Sequence, residues 1–424
     1  MHFVLVNQCF HPDTASTGQI LHDFASYLTS PEGGGHRVTV VTSRQRYGTD
    51  QLLDVSDETL PPTAPGHGQM VIRRLRGTRF GKKTLPGRVA DFVSFYAVAF
   101  RELLRHRDAD AWLVLTSPPM IGVVAELAAS LPGRRQLTGR IVHWVMDLYP
   151  EATHAHGMLR PTHPLYRVCR WAMGKAFARS AGLVALGDDM RDLIGRSHPR
   201  LDAAKVIVVH PWADGNALRP VDRASNPLAA ELGLSRTFNL VYSGNLGLAH
   251  DLETFLGAIE RTANDDPTGV RWVFIGSGKR YEQLSTWQSQ RRLPHVRLLP
   301  FMPREKLPLS LGLADVHLLS QLPAFTGVVV PSKLFGIMAA GRPALMVGPD
   351  DCECARVIRR HDIGRVVPVG DVDGLLAAVN ALRVPGVADA MGRRARAAFE
   401  AEDDRPVGCR HIAALLAAAA GPRS

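Results

Sequence analysis

Short apolar runs alternating with amphipathic stretches, in two successive series, are the pattern that most restricts how this chain can fold. FVLVNQCF leads into a helical segment near Gly18 to Leu28, and RVTVVTS, AWLVLTSPP with IGVVAELAAS, IVHWVMDLYP, GLVALGDD and VIVVHPWADG continue the first series. NLVYSGN, RWVFIGSG, VRLLPFM, DVHLLSQ, PALMVG and GRVVPVG, each followed by a helical segment, form the second. Runs this apolar read as strands buried on both faces, and strands separated by helices pair in parallel. The pattern predicts two doubly wound, Rossmann-like α/β domains, with ligands beyond the carboxyl ends of the strands and the cleft between the domains as the expected site. The polar, proline-containing stretch 219–227 reads as a linker. We expect one domain over 1–217, a second over 218–387, and an Ala- and Arg-rich helical tail over 388–424 that packs back across both.

Bulk properties narrow the partners. A chain of 424 residues exceeds what one hydrophobic core usually supports, and 46% hydrophobic with 21% charged residues is a soluble globular composition. The cysteines, at 9, 169, 352, 354 and 409, lack paired CxxC spacing and fit a reduced, cytosolic compartment. MHFVLVNQCF lacks the basic and long apolar regions of a secretory signal, so no export is expected. No uninterrupted apolar run reaches the roughly 20 residues a spanning helix needs; AWLVLTSPPMIGVVAELAAS is broken by Pro118 and Pro119 and carries Glu126.

A net charge of +10 favours an anionic partner. Arg73, Arg74, Arg76, Arg79, Lys82, Lys83 and Arg88 precede an apolar, aromatic stretch. Such a segment suits an anionic lipid surface or a lipid-linked diphosphate, each charge near the surface contributing about 1 kcal/mol. A solvated face over a core helix is the alternative. No recognisable nucleic-acid module accompanies it, so nucleic acid is not expected as a partner.

Three C-terminal segments carry candidate chemistry. In NLVYSGNLGLAHDLETFLGAIE, Gly244 and Gly247 allow backbone amides to approach an anion ahead of a helix N-terminus, which suits a diphosphate; a tight turn needing only small residues is the plainer alternative. In VVVPSKLFGIMAAGRP, Ser332 stands as an N-cap, with the amides of Lys333 and Leu334 and the Lys333 ammonium offering a second anion cradle; a simple cap with a solvated lysine would look the same. In VGPDDCECARVI, Glu353 near a helix start could accept hydrogen bonds from sugar hydroxyls or merely pair with the helix dipole. In the first half, HPDTASTGQILHDF places Gly18 at a loop-to-helix transition, and HWVMDLYPEA places His143, Asp147 and Glu151 around a strand end. A carboxylate or imidazole there could orient or deprotonate an acceptor hydroxyl, and a structural role is equally open. The Asp-x-Asp pairs at 108–110 and 371–373 sit at the entry to a strand and the opening of a helix and read as structural, so no metal site is expected.

Taken together, STGQILHDFA, HWVMDLYPEA, HPWADGNALRP, YSGNLGLAHDLET, FIGSGKRYEQL and VVVPSKLFGIMAAGRP resemble the retaining glycosyltransferases of family 4, of the GT-B fold, and within them the WbuB-like and colanic-acid-type transferases of bacterial surface polysaccharide synthesis. The resemblance implies a metal-independent enzyme without a cofactor. Its C-terminal domain would hold a nucleoside-diphosphate sugar: Gly244, Asn245, Gly247, Ser332, Lys333 and Leu334 near the diphosphate, backbone near Phe301 and Met302 at the base, and Glu353 by the sugar. Gly18, His143 and Asp147 would face the acceptor, with Asp147, Lys333 and Glu353 as the catalytic candidates. It also implies a lipid-linked glycan acceptor, in exopolysaccharide, O-antigen or capsule synthesis, and a cytoplasmic enzyme peripheral on the inner face of the membrane.

Departures from the family pattern fall at defined positions. Where many members carry two glutamates with seven residues between them, this chain has Val328 and Gly336, and the usual Arg and Lys of the phosphate loop are Asn245 and His250. Lys333 is then the candidate to supply their charge. Two other functions fit the same architecture: a nucleotide-sugar 2-epimerase, which needs no acceptor, and a non-catalytic protein that binds nucleotide sugar or a lipid surface.

Overall fold

The computed structural model describes residues 1–424 except 14, 47–50, 56, 82–83, 132–136, 138, 266–268 and 422–424. By its internal contacts the chain forms two compact units. One contains Met1–Val209 together with Gly408–Ser424, and the other contains His210–Val407. The end of the chain thus returns to the first unit, while residues 388–407 belong to the second.

In the first unit the strands are β1 (His2–Val6), β2 (Arg37–Ser43), β3 (Glu58–Leu60), β4 (Met70–Leu75), β5 (Ala111–Leu115), β6 (Ile141–Trp144), β7 (Gly182–Ala185) and β8 (Val206–Val208). They lie in the order β3-β4-β2-β1-β5-β6-β7-β8, all parallel except β3, which runs antiparallel to β4. The chain winds outward from β1 in one direction and then resumes beside β1 with β5, so the order switches between those two strands. Val4, Val6 and Val41 on one face of the sheet pack with Trp112 and Val114 against the helices Leu85–Leu103 and Ile121–Ser130. One correction falls here: MVIRRL, read from sequence only as part of a basic surface segment, is strand β4.

The second unit holds β9 (Phe238–Asn245), β10 (Val270–Ser277), β11 (Val296–Leu299), β12 (Val316–Ser320), β13 (Ala344–Val347) and β14 (Gly364–Val367). Their order is β11-β10-β9-β12-β13-β14, all parallel. Leu240, Tyr242, Trp272, Phe274 and Leu318 occupy one side of this sheet, and Val241, Val273 and Ile275 the other, so both faces are buried. Uninterrupted β-branched and aromatic runs are the sequence consequence of that double burial. The switch in strand order falls between β9 and β12, the position beyond whose strand ends open α/β sheets bind their ligands.

Candidate active site

The C-terminal unit concentrates its chemistry at that switch point. After β12 the chain returns through the helix Lys333–Ala339, and the Lys333 side chain reaches back across the end of β9. Its ammonium donates to the Tyr242 hydroxyl at 3.0 Å, the Asn245 carbonyl at 2.9 Å and His250 Nε2 at 3.3 Å. All three protons of the ammonium are therefore directed at neutral acceptors, and among the described residues no carboxylate is a hydrogen-bond partner. Gly244 makes the passage possible: its φ is +127°, and a Cβ there would lie 2.5 Å from Lys333 Cε.

The histidine in this cluster has a defined tautomer. His250 Nδ1 lies 2.6 Å from the Ser320 carbonyl, which can only accept, so Nδ1 carries the proton and Nε2 offers its lone pair to Lys333. Burial, then the Lys333 charge, pull the His250 pKa down to about 3, so the ring is neutral. Burial likewise lowers Lys333 to about 8, so the ammonium titrates just above neutrality. A desolvated cation with no carboxylate partner among the described residues is a site that gains by receiving an anion.

Glycines from the adjacent strand complete this end of the sheet. Gly276 and Gly278, at φ +144° and +122°, approach the Gly244 carbonyl and the Asn245 side chain so closely that any Cβ would collide. Gly247 has an ordinary φ and a Cβ there would meet only the Asn245 amide at 3.3 Å. Ser332 holds the cap position of its helix, but its hydroxyl makes no capping bond and is exposed. The Leu334 amide points back to the Pro331 carbonyl at 3.5 Å and its side chain is buried, so the expected pair of free amides at this helix start is reduced to that of Lys333. Phe301 stands exposed beyond β11, and Met302 packs against the core beneath it.

Glu353 occupies a different environment from the one expected. It is 1% exposed, and its carboxylate accepts from His210 Nε2 at 3.0 Å, while His210 Nδ1 donates to Asp403 at 2.8 Å. Burial would lower the His210 pKa, but the hydrogen bonds and charges of Asp403 and Glu353 outweigh it and raise the pKa to about 9. The protonated ring, stacked on Phe335, bridges two buried carboxylates. Glu353 is thus tied into an internal ion cluster; a role toward the sugar would be exerted through that cluster's positioning of its helix.

In the first unit, Asp147 follows β6. Its amide and that of Met146 donate to Thr116 Oγ1 at 3.1 and 3.0 Å, fixing the turn, and its half-buried carboxylate makes no hydrogen bond among the described residues. Burial raises its pKa to about 6, the range of a general base at neutral pH. Glu151, one short turn on, is buried with neither carboxylate oxygen hydrogen-bonded among the described residues.

One acceptor-side expectation is corrected, that of His143. His143 lies inside β6, buried, 3.4 Å from Glu126 and packed edge-on to Phe177, so it is a core histidine. Gly18 serves packing: its helix, Ser16–Thr29, runs so close to the loop after β1 that a Cβ would sit 3.1 Å from the backbone of Cys9 and Phe10. Of the basic segment, Arg73 pairs with Asp57 and Arg74 is buried against Glu58 and the His11 carbonyl. Arg76 and Arg79 are exposed, Arg88 lies over Phe92, and Lys82 and Lys83 lie outside the described residues.

Sequence reasoning passed over Tyr242 and Ser320. Both stand inside strands whose apolar pattern gives no sign that one hydroxyl and one carbonyl meet a lysine and a histidine from elsewhere. His250 was visible only as a departure from a family pattern.

Two doubly wound parallel sheets, each with its reactive groups at the strand ends, define the GT-B fold. The model of the glycosyl transferase 4-like domain matches residues 21–212, and that of the glycosyl transferases group 1 matches residues 237–383. The chain belongs to this family, and is a group 1, family 4 glycosyltransferase. It is 25% identical over 316 residues, 74% of this chain and 76% of the relative, to WbjE of Pseudomonas aeruginosa, named a probable glycosyltransferase. It is 26% identical over 200 residues, 46% of this chain and 48% of the relative, to WcaI of Escherichia coli K12, named for glycosyl transfer in colanic acid biosynthesis. The structure of Anabaena Alr3699/HepE in complex with UDP-glucose superposes with a TM-score of 0.68 at 14% identity, over 99% of this chain and 100% of that one.

Proposed function

We propose that the protein transfers a sugar from a nucleoside-diphosphate sugar to a hydroxyl of a lipid-linked glycan in surface polysaccharide synthesis, with retention of the donor's anomeric configuration and without a metal ion. The observation that carries this reading is the Lys333 ammonium, held at the switch point of the C-terminal sheet by Tyr242, Asn245 and His250 with no carboxylate bonded to it among the described residues. The leaving diphosphate gains negative charge in the transition state, and a preorganised, desolvated cation stabilises it there more than in the ground state. Asp147, ionised above about pH 6, orients the acceptor hydroxyl and accepts its proton.

The donor class draws support from the UDP-glucose complex of HepE, which shares the fold, and the polysaccharide setting from the name of WcaI. A membrane-borne acceptor is consistent with the net charge of +10 and the exposed Arg76 and Arg79; among the described residues no helix is long and apolar enough to cross a membrane.

Thermal unfolding of the wild type and Lys333→Ala with uridine, guanosine and thymidine diphosphate sugars, in EDTA, tests the site. A donor at a hundredfold excess over its Kd adds about 2.7 kcal/mol of stability. Stabilisation by one donor, diminished in the variant, supports the assignment. No stabilisation by any donor, or equal stabilisation of both proteins, overturns it. Conversion of a donor to its 2-epimer without acceptor would favour the epimerase instead.

A further inference from the structure

Three helices of the first unit, Leu85–Leu103, Ile121–Ser130 and Pro164–Arg179, form one layer, the middle one packing against both neighbours. The last of them turns Tyr166, Met173, Ala176 and Phe177 inward. Its opposite face presents Leu165, Val168 and Trp171, with Trp171 65% exposed. Val89, Val93 and Leu127 extend this exposed apolar character over the other two helices. A largely exposed tryptophan flanked by aliphatic side chains is costly in water, and such a patch marks a surface that meets something apolar.

The charges around it select what that is. Arg101, Arg167, Arg170, Lys175 and Arg179 are exposed on these helices. The three helices carry only three carboxylates, Asp91, Glu102 and Glu126. Each is buried and engaged: Asp91 with Thr78 and the amides of Phe80 and Gly81, Glu102 with Arg105 and His106, and Glu126 with His143. The outer face of the layer therefore combines apolar side chains and cations without a compensating acid from its own helices. A bilayer with anionic head groups complements both: tryptophan and aliphatic side chains enter the head-group boundary while the arginines and lysine meet lipid phosphates.

We propose that the outer face of the helix Pro164–Arg179, continued by the two helices beside it, is the surface by which this protein seats on an anionic membrane. The proposal deepens the reading of a membrane-borne acceptor and rests on it. It moves the contact from the segment Arg73–Arg88, whose Arg73 and Arg74 are engaged in ion pairs, to a helix face whose cations are exposed.

Flotation of the full chain with vesicles of phosphatidylcholine alone, or mixed with phosphatidylglycerol, tests it. The wild type should float only with the anionic vesicles, and less as salt rises. The double variant Val168→Glu, Trp171→Glu should partition at least about tenfold more weakly, with thermal midpoint and donor stabilisation unchanged. Tryptophan emission should shift to the blue on adding anionic vesicles, and Trp171→Phe should remove that shift.

If the double variant floats as well as the wild type, this surface is wrong while the membrane-borne acceptor stands. If no protein floats with anionic vesicles, both fall, and transfer to a soluble acceptor decides the enzymatic reading separately. If the wild type self-associates without lipid and the variant does not, the face is covered by a second copy and the proposal is overturned.

Discussion

The two units place opposite charges at equivalent ends of equivalent sheets. In the C-terminal unit the group beyond the strands is a cation, Lys333, whose three protons are all taken by neutral acceptors. In the N-terminal unit it is a carboxylate, Asp147, with no hydrogen-bond partner among the described residues and a pKa raised to about 6. Burial works on both groups in the same sense, toward the neutral form, and so brings both titrations near neutral pH. In the proposed reaction this difference becomes a division of labour: a fixed positive site would suit the leaving diphosphate, and a desolvated carboxylate a hydroxyl that must lose its proton.

The largest expected effect is that of Lys333→Ala, which should lower kcat/KM roughly 10²- to 10³-fold, about 3–4 kcal/mol of transition-state stabilisation, with the protein still folded. Equal loss in Asp147→Ala and Lys333→Ala of donor binding, as opposed to turnover, would break the contrast between the units.

His210→Ala should unfold more easily by roughly 3 kcal/mol, because it strands Glu353 and Asp403 as buried carboxylates. The folded-state pKa of His210, about 9, lies above its ordinary value of 6.5. Its contribution is therefore complete below about pH 6.5 and lost as pH rises through about 9. Denaturant midpoints between pH 6 and 10 should fall in the wild type over that window and not in the variant.

Asp147→Asn should lower kcat about 10²-fold while leaving donor stabilisation intact. The wild-type kcat/KM should rise with pH through about 6 as Asp147 ionises and fall through about 8 as Lys333 loses its proton. The variant should keep only the alkaline limb. A wild-type profile flat from pH 5 to 9 would remove both assignments.

Gly244→Ala should weaken donor binding about tenfold, since the added methyl collides with the Lys333 side chain at a backbone φ of +127°. Titration calorimetry would read this, and unaltered affinity would show that the lysine need not cross the end of β9.

The fold was legible because both sheets are built from runs such as FVLV and NLVY, whose double burial permits little besides apolar residues. β3 and β4 escaped notice because MVIRRL, near the sheet edge, carries two arginines whose partners, Asp57 and Glu58, are themselves charged. In the site, Gly244 and Lys333 were readable as anion-binding types, but not the contact between them, which joins residues 89 apart in sequence across the switch point. Glu353 and His143 show the converse limit. A polar residue near a strand end is read from sequence as facing a ligand, and only the packing reveals that His210 and Glu126 already hold them.

The central claim is that Lys333 is the cation that receives the donor's diphosphate. Calorimetric binding of the best nucleoside-diphosphate sugar, whose esterified phosphates do not titrate near neutrality, in EDTA and at about pH 8 in buffers of different ionisation enthalpy, tests it most directly. An anion at the ammonium raises its pKa, so binding should take up about half a proton at that pH, almost none at about pH 6.5, and none in Lys333→Met. Tight binding by the wild type without proton uptake at about pH 8, or unchanged affinity and uptake in Lys333→Met, would contradict the assignment.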